Sequence, residues 1–241
     1  TEDQVAAMGT AQLAALTTAQ LAKMETDDIA AITTDQITAL KTAQMEALTT
    51  AQVVALSEDQ VATLTTAQLA ALTTAQLAKM ETDDIAAITT AQITALTTAQ
   101  IAALTTAQAV AISEDQVAVL KTAQLAALTT ANFVEMSTDQ LAAITTAQIS
   151  ALTTAQVSAL TEDQAVSLSE DQVAALKTAQ VAALSTANLA AMSEDQVAAL
   201  TTAQVTALTT AQIVALTEDQ VAAMGTAQLA ALTTAQLAKM E

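Results

Sequence analysis

No histidine, cysteine, proline, tryptophan, tyrosine or arginine occurs in the 241 residues, and Phe133 is the one aromatic side chain. The chain therefore has no thiol nucleophile, no imidazole acid or base, and none of the nitrogen and sulfur ligands that zinc and copper prefer. Its carboxylates recur at fixed places in a repeat, and none forms a distinct pair suited to acid–base chemistry. We expect neither enzymatic activity nor a cofactor.

Positive charge and long apolar runs are also scarce. Six lysines face 25 acidic residues, which gives a net charge of −19. Because affinity for the phosphate backbone depends on basic side chains, this balance argues against binding of nucleic acid. A charged residue or a threonine pair interrupts the apolar residues in every stretch of about 18, the length that a membrane-spanning helix needs. We expect no membrane span, although the mean hydropathy is +0.44.

The chain consists almost entirely of an eight-residue unit, repeated thirty times from residue 1 to 240 without insertion or deletion. TTAQLAAL at 65–72 is typical. The eighth position is always Leu, Met or Ile, the fourth is Gln in all but four octads, and the fifth is a large apolar residue in all but two. The exceptions at the fifth position are Ala109 and Ala165, where the following Val110 and Val166 are expected to serve as displaced replacements.

Each octad carries two signals for the start of a helix. Thr or Ser at the first position and Gln at the fourth form a capping box, in which the two residues satisfy each other's free backbone N–H groups. The apolar eighth residue of the preceding octad and the apolar fifth residue occupy the two places of a hydrophobic staple. Acidic residues agree with this frame, since Glu58 and Asp59 and their equivalents fall in the first turn of a helix. The pattern predicts a new helix every eight residues.

Two other folds compete with this interpretation. In one uninterrupted helix, the large apolar residues would recur every four residues on average, whereas a helical turn takes about 3.6 residues, so the apolar stripe would wind around the rod. A β-solenoid would require alternation that the order apolar, Thr, Thr, Ala, Gln, apolar, Ala, Ala does not provide. We favour an all-α solenoid or superhelix of very short capped helices, one per repeat.

Helices of about six residues are too short to be stable alone, so neighbouring turns must stabilise them. We expect the fifth and eighth positions to face inward and the Thr or Ser and Gln pairs to cap helices, with Gln also bonding across turns as a ladder of amides. The predicted core residues are Leu16, Leu56, Leu72, Val53, Leu69, Ile93 and Leu96. The predicted capping and ladder residues are Thr65, Gln68, Thr73, Gln76, Ser57 and Gln60.

Longer repeats lie above the octads. Residues 10–34 recur at 66–90, a shift of seven octads, and residues 1–25 recur at 217–241, a shift of twenty-seven octads. We interpret residues 1–241 as a single continuous array cut from a longer protein whose super-repeat has that second length. Neither end carries an atypical capping repeat, so we expect flanking sequence or another molecule to continue the coil.

The LTTAQ motif, present for example at 16–20 and 48–52, resembles that of very large bacterial secreted or surface proteins with octapeptide repeats, often labelled adhesins or haem-utilisation proteins. The resemblance covers the whole chain and implies an extracellular or cell-surface location. It brings no functional residues. LTTAQVVAL at 48–56 is also similar to the start of a TAL-effector repeat, which begins with a capped helix. The second helix and the base-reading pair of that repeat are missing here.

We expect a structural role: an extracellular filament, stalk or sheath-like fibre built by solenoid stacking and self-association, with copies of the chain as partners. The alternative is the repetitive stalk of a large bacterial surface adhesin whose binding module lies elsewhere. Ice binding by rows of threonine is a remote option. Glu-Asp pairs could attract Ca²⁺, but solvated helix starts are the favoured interpretation, because no shaped calcium loop is present.

Overall fold

The computed structural model describes residues 1–240, and over this range every octad forms one short α-helix. Each helix begins at the second position of its octad, and the first position is its N-cap. The helices have four to six residues. The prediction of an all-α solenoid of short capped helices is confirmed.

The helices fall into two compact units, residues 1–120 and 121–241. The division lies between two octads, and the prediction of a single continuous array stays a prediction. The first unit contains α1 Glu2–Ala6, α2 Thr10–Ala15, α3 Thr18–Leu21, α4 Thr26–Ala30, α5 Thr34–Thr38, α6 Thr42–Ala47, α7 Thr50–Val54, α8 Glu58–Thr63, α9 Thr66–Ala71, α10 Thr74–Leu77, α11 Thr82–Ala87, α12 Thr90–Ile93, α13 Thr98–Ala102, α14 Thr106–Ala111 and α15 Glu114–Val119. The second contains α16 Thr122–Ala127, α17 Thr130–Glu135, α18 Thr138–Ala142, α19 Thr146–Ile149, α20 Thr154–Ser158, α21 Glu162–Ser167, α22 Glu170–Ala175, α23 Thr178–Ala183, α24 Thr186–Ala191, α25 Glu194–Ala198, α26 Thr202–Ala207, α27 Thr210–Ala215, α28 Glu218–Ala223, α29 Thr226–Ala231 and α30 Thr234–Leu237.

The corner between successive helices is made by extended backbone at the eighth and first positions. Leu72 has φ −61° and ψ 138°, and Thr73, which follows it, has φ −69° and ψ 158°. Both pairs of angles lie in the polyproline II region, which every L-residue can adopt. No residue among those described has a positive φ. The corner therefore needs no glycine in the left-handed conformation, which commonly ends a helix. This explains why glycine is scarce in the chain.

Within each unit, every helix packs against the third helix before it and the third after it, wherever the unit provides one. The side-chain bonds described below reach back to the fourth octad before, over 28 to 31 residues. Each helix therefore lies above the space between two helices of the preceding turn. One turn of the coil takes about three and a half octads, and seven octads complete two turns.

The inner side of the coil is formed by the fourth, fifth and eighth positions. In the octad 65–72 these are Gln68, Leu69 and Leu72, all buried, whereas the first three positions are exposed and the two alanines are half-buried. The fifth-position side chain is usually fully enclosed, and Phe133 is the largest of them. Within each unit the core is therefore a column of two apolar residues per octad.

Two expectations about the core were wrong. Leu16 is half-buried, because the eighth position packs toward the preceding turn and no earlier turn of the described chain lies against the second octad. Val110 and Val166 do not replace the small residues before them. They are 48% and 46% exposed, while Ala109 and Ala165 are buried. The octad frame is held by the caps and corners, so these two octads keep a small residue in the core.

Candidate functional site

The fourth-position glutamine is the residue around which each octad is organised. Gln100 Oε1 accepts a hydrogen bond from the Thr97 backbone N–H at 2.8 Å, and Thr97 Oγ1 accepts from the Gln100 backbone N–H at 3.2 Å. Gln100 Nε2 donates to the backbone carbonyl oxygens of Leu69 at 3.2 Å and Leu72 at 2.8 Å. These two carbonyls belong to the end of α9, one turn earlier. One amide thus caps the start of its own helix and the end of another.

This double use of the amide satisfies both kinds of backbone group that a helix leaves unpaired, the first N–H groups and the last carbonyls. It explains how helices of about one and a half turns avoid unpaired buried polar atoms. Among the described residues no buried side-chain nitrogen or oxygen lacks a partner. We call the glutamine and its cross-turn acceptors a rung. Rungs occur at Gln36, Gln44, Gln52, Gln60, Gln68, Gln76, Gln92, Gln100, Gln108, Gln116, Gln156, Gln164, Gln172, Gln180, Gln196, Gln204, Gln212, Gln220, Gln228 and Gln236.

The predicted capping and ladder residues lie at these rungs. Thr65, Thr73 and Ser57 are N-caps whose hydroxyl oxygens accept from the backbone N–H of Gln68, Gln76 and Gln60. The cross-turn acceptors are main-chain carbonyls, so the ladder is one of amide to backbone and not of amide to amide. The predicted core residues Leu56, Leu72, Val53, Leu69, Ile93 and Leu96 are buried. Leu16, as noted, is not.

Asp84 occupies a ladder position, but its side chain cannot accept at the N-cap and donate to the preceding turn as glutamine does. It is 3% exposed, and its Oδ2 accepts from the Glu81 backbone N–H at 3.2 Å. An ionised carboxylate has no proton to donate to the carbonyls of the preceding turn. Burial, together with the charges of Glu81, Glu58 and Asp83, raises the pKa of Asp84 to about 6, although the hydrogen bond from Glu81 lowers it. The sequence shows that Asp replaces Gln here, but the repeat pattern alone does not indicate the cost of that replacement.

A family model for the ALTTAQ repeat matches the chain in overlapping segments that together cover 5–74, 77–114 and 117–226. The chain belongs to the ALTTAQ repeat family. A search of curated proteins returned no match. The matched segments are offset from each other by multiples of eight residues through much of the chain, as expected of an ALTTAQ octad.

Several exposed residues of the ALTTAQ coil recur at intervals of seven octads, which is every second turn. In the first unit Glu2, Glu58 and Glu114 follow one another at intervals of seven octads, and the exposed Val54 and Val110 are separated by the same interval. In the second unit Lys121 and Lys177 have this spacing too. Because two turns take seven octads, equivalent side chains lie in line along one face of each unit. The seven-octad recurrence in the sequence therefore matches two turns of the coil.

Residues 1–240 contain no group of three or more acidic side chains placed to hold a metal ion. In the same range, no helix is long and apolar enough to cross a membrane. A groove of about 450 Å³ lies beside the last octads, and it is lined by Val214, Leu216, Thr217, Glu218, Val221, Ala222, Lys239 and Met240.

Proposed function

We propose that this ALTTAQ repeat chain is a structural element, forming an extracellular filament, stalk or sheath-like fibre by self-association of its coil. The observation that carries the proposal is the rung, because the same bonds join one turn to the next at nearly every octad that has an earlier turn within its unit. The stability of such a coil is approximately a sum of equal contributions from its octads, so octads can be added without changing the architecture. A fibre or stalk needs this property, and chemistry at a single site does not.

The surface supports the same proposal. Side chains in line every second turn present the same contacts repeatedly along the coil, and repeated contacts in one direction do not close into a small oligomer. Dense negative charge disfavours compact aggregates at low salt. Enzymatic activity, nucleic-acid binding and Ca²⁺ binding form no part of the proposal.

The alternative is the stalk of a surface adhesin with its binding module elsewhere, which rests on the resemblance of the octads to those of bacterial surface proteins. A coil whose length is set by the number of octads would serve as a spacer equally well. Ice binding is less well supported, because helices of successive turns are staggered by half an octad and do not stack their threonines into one flat grid.

Electron microscopy tests the proposal. Concentrated chain should form filaments whose helical pitch is one turn, about 8–10 Å for packed helices. Antibodies raised against the chain should label fibres outside intact source cells. Labelled molecules that end in a globular head would support the adhesin stalk instead. Exclusively intracellular label and dispersed, unassembled chain would refute both.

A further inference from the structure

One rung inside the first unit lacks its donor. In the next octad along the chain, Gln92 Nε2 donates to the carbonyl oxygen of Leu64, 28 residues earlier, at 2.6 Å. Asp84 stands at the same octad position, and the equivalent acceptor is the carbonyl oxygen of Leu56. Within the described part of the first unit, no hydrogen bond reaches that oxygen. We call Asp84 and the Leu56 carbonyl the open rung.

The open rung places two hydrogen-bond acceptors in a buried part of the coil. Asp84 and Leu56 are 3% and 4% exposed. An ionised carboxylate and a carbonyl oxygen both accept, and neither has a proton for the other. Burying polar groups without a hydrogen bond is unfavourable, so the ionised rung is stable only if water reaches it.

A side chain of the same length completes such a rung in the second unit. Asn188 Nδ2 donates to the Leu160 carbonyl oxygen at 2.8 Å, over the same 28 residues. Protonated aspartic acid has one O–H donor at the corresponding place. Oδ2 of Asp84 already accepts from the Glu81 backbone N–H, which leaves Oδ1 to carry the proton. Asp84 can therefore do in its protonated form what Asn188 does at every pH.

We propose that the open rung is a pH-sensitive switch: protonated Asp84 donates to the Leu56 carbonyl and closes the rung, and ionisation opens it. In the open form water enters between the two acceptors, and α11 loosens from the turn before it. The intact rungs of Gln76 and Gln92 on either side confine this change to one part of the first unit. The switch needs no second copy of the chain, so it does not depend on self-association.

The charges around Asp84 favour the protonated form. α11 packs against α8 and α14. α8 brings Glu58 and Asp59, α11 and its N-cap add Asp83 and Glu81, and α14 and α7 carry no charged residue. Among the described residues, no lysine forms an ion pair with Asp84. Burial and the charges of Glu81, Glu58 and Asp83 raise the pKa of Asp84 to about 6, although the Glu81 N–H hydrogen bond lowers it.

Hydrogen exchange followed by NMR tests the switch on the single chain. The closed form holds the proton more tightly than the open form, so the rung should be closed near pH 4 and open as the pH rises through 6. The amides of Leu56 and Ile85, bonded to Val53 and Glu81, report on the two sides of the rung. Between pH 4 and pH 7 their protection factors should fall by roughly ten- to a hundredfold.

The amide of Ile101 is the internal reference for this fall. It lies in the same unit, is bonded to the Thr97 carbonyl, and follows directly after the intact rung of Gln100. Effects of pH on the whole unit change its protection as well, so the fall at Leu56 and Ile85 is measured relative to Ile101. An equal fall at all three amides would refute a switch confined to the open rung.

Asp84→Asn shows whether the proton is responsible. Asparagine keeps the length of the side chain and donates at every pH, so protection at Leu56 should stay at its pH 4 level up to pH 7. Asp83→Asn removes the same charge from the exposed neighbouring residue and should retain the wild-type pH dependence. A pH dependence that survives in Asp84→Asn, or that both variants abolish, would overturn the switch.

A titration of the wild-type chain makes the outcome independent of how any variant folds. The carboxyl carbon of Asp84, followed by carbon-13 NMR, should titrate with a midpoint near pH 6, the pKa given by its burial and its acidic neighbours. A midpoint near pH 4, the ordinary value for aspartate, would show that the folded chain does not hold this proton and would exclude the switch.

Discussion

At the scale of single residues, the fold depends on a side chain that accepts and donates at once. Glutamine has an amide oxygen for the N-cap N–H and an amide nitrogen for carbonyls one turn away, at the ends of a side chain long enough to reach both. Asparagine is one methylene shorter. Asn188 Nδ2 donates to the Leu160 carbonyl oxygen at 2.8 Å, and Ser185 Oγ accepts from the Asn188 backbone N–H. The reciprocal capping box found at glutamines is not formed there. This explains why Gln recurs at nearly every rung.

Gln100→Glu should destabilise the chain by about 1–3 kcal/mol, because the carbonyls of Leu69 and Leu72 lose their donor and meet a carboxylate instead. The cap on Thr97 N–H is retained, so the loss reports the cross-turn bond. Urea unfolding followed by circular dichroism gives the free energy of unfolding. Thr98→Glu is the control, since this exposed first-turn position favours an acidic side chain. Equal losses in the two variants would show that the rung contributes nothing specific.

Asp84→Gln should have the opposite effect, and one that depends on pH. The pKa of Asp84 is raised from 3.8 to about 6 in the folded chain, so the folded state holds this proton more tightly than the unfolded state. The stabilisation from protonation is complete below about pH 4 and is lost as the pH rises through 6. The gain in stability from Asp84→Gln should therefore be small at pH 4 and increase up to pH 7.

Thermal melts of wild type and variant at matched pH values measure that gain. Asp83→Asn serves as the control, because Asp83 is exposed in the same first turn and its replacement changes the charge by the same amount. If the two variants differ from wild type by the same amount at every pH, Asp84 does not occupy a rung that lacks its donor.

At the scale of the helix, most of the element could be predicted from the sequence. The capping box and the staple locate both ends of each octad, and the spacing of apolar residues locates its buried side. The half-buried Leu16 could not be predicted, since it depends on which neighbouring turn covers the eighth position. The exposed Val110 could not be predicted either. Periodicity favours a large residue in the core, whereas the caps and corners fix the frame even when the core residue is Ala109.

Proline substitutions should have different effects at the corner and inside the helix. Thr74 is the first residue of α10, and Thr73 before it is already in the extended conformation that a following proline requires. Thr74→Pro should be neutral or should stabilise by about 0.4–1 kcal/mol through the unfolded state. Ala70→Pro, inside α9, should cost about 3 kcal/mol or more. Chemical denaturation of the two variants compares them directly, and a long uninterrupted helix would be broken by both.

At the scale of the whole molecule, the sequence indicates stacking but not the number of octads per turn. That number follows from the reach of the glutamine side chain and from the positions of the free carbonyls at a helix end, which together place each rung 28 to 31 residues from its acceptors. No periodicity in the apolar residues carries this information. The seven-octad recurrence in the sequence does reflect the number of octads per turn. It can be interpreted as two turns, however, only once one turn is known to take three and a half octads.

Distance measurements within the first unit test the turn. The chain has no cysteine, so Val54→Cys and Val110→Cys introduce a unique pair of exposed sites for spin labels. Two turns of packed helices separate these sites by about 16–20 Å along the coil, and they lie on the same face. Pulsed electron resonance should give a short, narrow distance distribution. One unbroken helix would separate them by about 84 Å at a rise of 1.5 Å per residue.

Deleting one octad, residues 65–72, sharpens this prediction. The caps and corners on both sides remain in frame, so the variant should fold with little change in melting temperature. The second label then lies roughly a quarter to a third of a turn away from the first, because an octad is about two sevenths of a turn. The distance between the labels should therefore increase, although the chain between them is one octad shorter. Deleting half an octad, residues 67–70, removes the rung residue Gln68 and most of α9, so this variant should lose stability instead. A shorter distance after the octad deletion would contradict a turn of three and a half octads.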